Sequence, residues 1–126
     1  MLVLDTSALI DSLTGPRRSA PALRAAIDAG ERFLLPALVL YEWLRGPRLD
    51  EELSSQEALF PSDLAIPFGA TEAAISAGIY RALRRPRGRE IDIGIAACAI
   101  AHGAALWTLN PADFQDIPRL QIYRAD

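Results

Sequence analysis

The sequence predicts an α/β fold, and three observations predict it. Short apolar segments alternate with helical stretches along the whole chain. The apolar segments show no polar–apolar alternation, which is the pattern of strands buried on both faces. Proline and glycine mark several of the boundaries between segments. Together these features point to a parallel sheet covered by helices on both sides.

Taken in order, residues 2–4 (Leu-Val-Leu) form the first strand, and residues 9–13 begin a short helix. A helix over residues 21–29 closes at Gly30, where a C-terminal cap favours glycine. Residues 33–35 make the second strand. Pro36 suits the first turn of the next helix, because its missing N–H would have no partner there anyway; Gly46-Pro47 stops that helix after Leu44. Residues 50–59 form a helix with acids in its first turn, where they complement the helix dipole. Residues 64–66 supply a third strand. Thr71 caps a helix that reaches Arg84 and is broken by Pro86 and Gly88. Residues 93–101 are apolar almost all round and read as a buried helix. Strands at 106–108 and 121–123 complete the series.

A chain of 126 residues fits one domain, 1–126. At that length roughly two thirds of the unfolded surface can be buried, so neither metal nor disulfide is needed as a staple. The single cysteine, Cys98, excludes an internal disulfide and suits a reducing cytoplasm. Met1 leads straight into a strand with no basic segment or cleavage motif, so no secretory signal is expected. No apolar run approaches the ~20 residues of a membrane span. All thirteen basic residues are arginine, against a net charge of −3, and every mechanism that requires a lysine is thereby excluded.

In open α/β sheets, ligands bind beyond the carboxyl ends of the strands. Acids stand at four such junctions. Asp5 follows the first strand, Glu42 lies in the helix after the second, Asp92 opens the buried helix, and Asp113 follows the fourth strand in "LWTLNPADF". Each also has a purely structural reading. Asp5 and Asp92 can cap the helices they precede, and Asn110-Pro111-Ala112-Asp113 fits a cap, a first-turn proline and an N3 acid. Glu42 is harder to explain as structure. Its neighbours are nearly all apolar, and a buried carboxylate needs a partner or an ion; Arg45 is the partner within reach. As a set, the four repel one another. At ~4 Å and an effective dielectric of about 20, one pair costs roughly 4 kcal/mol, so a cation between them is expected. Oxygen-only donors suit Mg²⁺ or Mn²⁺. The chemistry such a site implies is metal-assisted attack of water on a phosphodiester.

The segments "LVLDTSALID", "LPALVLYEWLRG", "DIGIAACAIAHGA" and "LWTLNPADF", in this order and spacing, resemble a PIN domain, and more narrowly a VapC-like toxin of a toxin–antitoxin pair. The resemblance covers essentially the whole chain. It implies a five-stranded parallel sheet in the order 3-2-1-4-5 and a Mg²⁺- or Mn²⁺-dependent endoribonuclease. It also implies a cognate antitoxin that blocks the site, and homodimerisation. Carried over by position, the catalytic and metal-binding residues are Asp5, Glu42, Asp92 and Asp113, with Thr6, Thr108 and Asn110 in supporting polar positions. Gly94 stands where similar sequences often carry a bulkier apolar residue, and Trp107 is large for the fourth strand.

His102, the only histidine, reads as a helix-closing residue before Gly103. Cys98 reads as packing in an alanine-rich helix. Asp11, Asp63 and Asp116 read as solvated. In "RALRRPRGRE", Arg81, Arg84, Arg85, Arg87 and Arg89 are either a solvated helix end or a strip that grips RNA phosphates. Tyr41 and Trp43 suit packing in the core or at a partner interface better than stacking on bases. A receiver-type phospho-switch and a haloacid-dehalogenase-like phosphatase both need a lysine that is absent, and the phosphatase needs an acid where Ser7 stands. The remaining rival is a non-catalytic PIN-like module that binds RNA or protein. Such a module is expected to have lost one or more of the four acids, and all four are present.

Overall fold

In the computed structural model, which describes residues 1–125, Leu2–Leu4 forms the central strand β1 with all three side chains buried. It pairs in parallel with β2 (Phe33–Leu34) on one side and β3 (Ala105–Trp107) on the other. Val3 lies opposite Leu34 and Leu106, giving the order β2-β1-β3. Six helices complete the fold: α1 (Thr6–Leu13), α2 (Ala20–Asp28), α3 (Ala37–Arg45), α4 (Asp50–Leu59), α5 (Ala70–Ala82) and α6 (Glu90–Ala101). None of them is long and apolar enough to cross a membrane.

The sheet has three strands rather than the expected five. The two outer strands are each reduced to one parallel bridge, Pro36 with Ile66 and Leu106 with Ile122. The causes are local. Ser62–Leu64 winds into a 3₁₀ turn that leaves Leu64 75% exposed. Pro67 then follows Ile66 with no N–H to extend a ladder. On the other side Pro118 and Arg119, in the left-handed region at φ 69°, turn the chain just before Gln121. Pairing there is limited to two 2.8 Å bonds, from the Leu106 N–H to the Gln121 carbonyl and from the Tyr123 N–H to the Leu106 carbonyl.

Helix boundaries differ in instructive places. The residue that opens α5 is Gly69, not Thr71, and Glu72 accepts the Gly69 N–H at 2.9 Å. Glu52 does the same for the Leu49 N–H at 2.8 Å. In both cases an acid inside the helix reaches back to accept the backbone N–H of the residue that opens it. Helix α5 ends at Ala82, short of Arg84. Helix α6 begins at Glu90, which puts Asp92 in its first turn and Arg89 at its N-cap.

Helix α6 is the core helix that its all-round apolar sequence implies, with residues 93–99 buried. Trp43 is fully buried with Arg48 stacked 4.3 Å from its ring centre, which assigns it to packing. Trp107 fits its strand by lying between aromatic neighbours, 6.3 Å from Phe33 and 5.3 Å from Tyr123. Gly94 has an equally concrete reason. A Cβ there would stand 2.6 Å from Leu38 Cδ1 and 3.3 Å from Phe68 Cε1, so those two side chains already fill the space. Gly94→Val is expected to destabilise the fold by about 1–3 kcal/mol through overpacking. Urea unfolding measures it, and an unchanged midpoint would show that Leu38 can swing aside.

Candidate active site

Asp5 continues the ladder of β1 for one more residue, its N–H donating to the Trp107 carbonyl at 2.9 Å. Its backbone takes the N-cap position of α1, yet its side chain makes no capping bond. The buried carboxylate instead accepts two hydroxyl bonds at Oδ2, from Thr108 Oγ1 at 2.7 Å and from Ser7 Oγ at 2.9 Å. Those hydroxyls are fixed in turn: the Leu109 N–H donates to Ser7 Oγ and the Asn110 N–H to Thr108 Oγ1, both at 3.0 Å. Thr108, one of the expected supporting residues, is thus bonded directly to Asp5. Ser7 was not expected. Its only sequence signal is its position two residues after Asp5, in the first turn of the same helix.

Glu42 projects from α3, half-buried, and is held from two sides. Thr6 Oγ1 donates to its Oε1 at 2.5 Å, and Arg45 Nη2 to its Oε2 at 3.2 Å. Arg45 is therefore its partner, as the spacing suggested, and Thr6 is a second. Asp92 and Glu42 line one cleft of about 370 Å³, with Arg45, Gly88, Glu90 and Ile91 around it. Asp113 ends the 3₁₀ turn Pro111–Asp113 and is exposed. Asn110 occupies the cap position of that turn without a side-chain capping bond.

The Asp92 carboxyl reports how these acids combine. Burial, followed by the charges of Asp5, Glu42 and Asp113, pushes its pKa up to about 6, and Arg89 opposes the shift. The four acids therefore share one electrostatic site. They do not form a closed shell: among the described residues, no three His, Cys, Asp or Glu side chains are gathered tightly enough to hold an ion as they stand.

This predicts a pH dependence. The folded-state pKa of Asp92 is raised above its ordinary value, so its contribution to stability is present at low pH and is lost as pH rises through about 6. In chelator, melting temperature is expected to rise as pH falls from 7 to 5. A flat or falling profile over that window would contradict the coupling.

Of the five arginines, Arg81, Arg84, Arg85 and Arg87 are exposed, while Arg89 is tied to Asp116, which is therefore more than a solvated acid. His102 closes α6 as expected, with Nδ1 2.9 Å from the Cys98 carbonyl. Cys98 is buried, which raises its thiol to about 11 and leaves it to packing.

Comparison with known proteins gives one coherent answer. The family model described as PIN domain matches residues 2–120. The chain is 34% identical over 123 residues to Ribonuclease VapC19 of Mycobacterium tuberculosis, covering 96% of this chain and 98% of that one. Its fold is similar to that in a crystal structure of DNA-bound VapBC from Salmonella typhimurium, with a TM-score of 0.81 and 22% identity, covering 97% of this chain and 96% of that one. It is also similar to a chain of FitAcB from Neisseria gonorrhoeae, with a TM-score of 0.72 and 21% identity over 99% of this chain and 98% of that one.

Proposed function

The chain belongs to the PIN-domain family, and from that premise we propose that it is a metal-dependent endoribonuclease serving as the toxin of a toxin–antitoxin pair. The observation that carries the reading is the coupling of Asp5, Glu42 and Asp113 to Asp92, whose pKa burial first and then those three charges push up to about 6. Four acids of one family pattern, two of them lining a cleft and, among the described residues, only Glu42 held by a salt bridge, from Arg45, fit a divalent cation. The all-oxygen donor set favours Mg²⁺ or Mn²⁺ over softer metals. The ribonuclease name of the Mycobacterium tuberculosis relative supports RNA as substrate.

The residues divide the work. Asp5, Glu42, Asp92 and Asp113 would hold the ion, which when bound would lower the pKa of water and offset charge at the scissile phosphate. Ser7 and Thr108 fix the orientation of Asp5 by donating to Oδ2, one of its two oxygens. Thr6 performs the same service for Glu42. The proximity of the acids also sets the working pH. A proton on Asp92 competes with the cation, so metal affinity falls below about pH 6.

VapBC complexes among the structural neighbours support a cognate antitoxin as partner; a homodimer as the toxin's own assembly is part of the same proposal. Apolar surface is available for either on α3 and just past it, where Tyr41, Leu44 and Leu49 are each more than half exposed. The test is cleavage of structured RNAs by the purified, antitoxin-free protein, with and without chelator. Cutting that needs Mg²⁺ or Mn²⁺ is expected, and undiminished cutting in excess EDTA would remove the metal mechanism. Growth arrest on expression, relieved by the product of an adjacent small gene, tests the toxin assignment separately.

A further inference from the structure

Five arginines crowd residues 81–89, and in the sequence they look interchangeable. One is not. Arg89 is the N-cap residue of α6, with its side chain 24% exposed. Its guanidinium grips Asp116 as a two-pronged fork, Nη1 donating to Oδ2 at 2.9 Å and Nη2 to Oδ1 at 2.7 Å. Nη2 also donates to the Asp113 carbonyl at 2.9 Å. These partners lie 27 and 24 residues away along the chain. A planar guanidinium committed to a carboxylate fork and a carbonyl has little left with which to grip a phosphate. The two ends that it joins are those that carry acids of the site: Asp92 is three residues past Arg89 in α6, and Asp113 accepts the third bond through its own backbone.

We infer that Arg89 is a positioning residue, a clamp that holds the turn bearing Asp113 against the helix end bearing Asp92. Its consequence for metal rests on the proposed cleavage site; the clamp itself rests on the bonds just given. A rival account makes Arg89 only a nearby positive charge. The two accounts differ in sign. As a charge, Arg89 repels a cation and Asp116 attracts it, so Arg89→Gln would tighten metal binding and Asp116→Asn would loosen it. As a clamp, both substitutions break the same fork and both loosen it.

The experiment titrates Mn²⁺ calorimetrically into wild type, Arg89→Gln, Arg89→Lys, Asp116→Asn and the Arg89→Gln/Asp116→Asn double variant. Each single change is expected to weaken Mn²⁺ binding about tenfold, as loss of a ligand-orienting contact does. The double variant should be no worse than either single change, because one interaction is lost once. Lysine keeps the charge but cannot form the fork, so it should not rescue. Opposite signs for the two single changes, or full rescue by lysine, would overturn the clamp. Amide exchange gives a readout independent of metal. The Asp113 and Phe114 N–H groups, bonded 3.0 Å from the Asn110 and Pro111 carbonyls, should exchange faster in every variant, and unchanged rates would also overturn it. If wild type binds no Mn²⁺, the proposed cleavage site fails, and the exchange rates still decide the clamp.

Discussion

Asp5→Asn is expected to abolish RNA cleavage while leaving the fold intact. The Asp5 side chain makes no capping bond to α1, so the helix does not depend on its charge. An asparagine oxygen can still accept the Thr108 and Ser7 hydroxyls that hold the carboxylate at 2.7 and 2.9 Å. What is lost is one negative charge in a site that needs its charge to hold a cation. Several kcal/mol of transition-state stabilisation depend on such an ion, so the rate should fall by roughly a thousandfold or more. In chelator the variant should melt at the same temperature as wild type or higher. Asp5 is the foremost charge acting on Asp92, and removing it should bring the Asp92 pKa down from about 6. With Mn²⁺ at a hundred times its dissociation constant, wild type should gain about 2.7 kcal/mol and the variant much less. Paired melting curves and a cleavage assay measure the rate, the melting temperature in chelator and the response to Mn²⁺. Full activity with an unchanged metal response would return Asp5 to an ordinary helix-end role.

Replacing Arg84, Arg85 and Arg87 by glutamine should weaken RNA binding without touching the chemistry. All three are exposed, and none makes a side-chain hydrogen bond or salt bridge to another described residue, in contrast to Arg89. A protein of net charge −3 that binds a polyanion needs a local cationic surface, and that role is assigned to these exposed arginines. Three phosphate contacts to a single strand contribute about 2 to the log–log salt slope, and near 0.15 M salt their loss is worth roughly fiftyfold in affinity. Binding to a non-cleaved RNA in EDTA across a salt series measures both quantities. An unchanged slope would make the strip a solvated helix end and nothing more.

The strength of the sequence signal varied with how local each feature is. Asp5, Asp92 and Asp113 stand out as candidates because each sits at or near an element boundary, which apolar runs, prolines and glycines mark, and Glu42 because it interrupts an apolar helix. Helix α4 was legible to the residue for the same reason. The outer strands were not. An apolar run such as Leu64-Ala65-Ile66 reads as a strand wherever it falls, and whether it pairs depends on Pro67 and on a neighbour that itself offers one bridge. Ser7 and Arg89 mark the other limit. The bonds of Ser7 reach Thr108 and Leu109 about a hundred residues on, and Arg89 finds Asp116 across 27. Such pairings are properties of the folded chain, and no local pattern announces them.

The parallel pairing of β1 with β3 has a consequence in time. Asp5 leaves the ribosome early, whereas Thr108, which holds its carboxylate, follows 103 residues later, and Asp113 later still. At about 5–20 residues per second, that interval lasts roughly 5–20 s. Throughout it the growing chain carries a first strand with one edge uncovered and only part of the acidic set. A product of interrupted synthesis that stops before Asp113 carries at most three of the four acids of the proposed site.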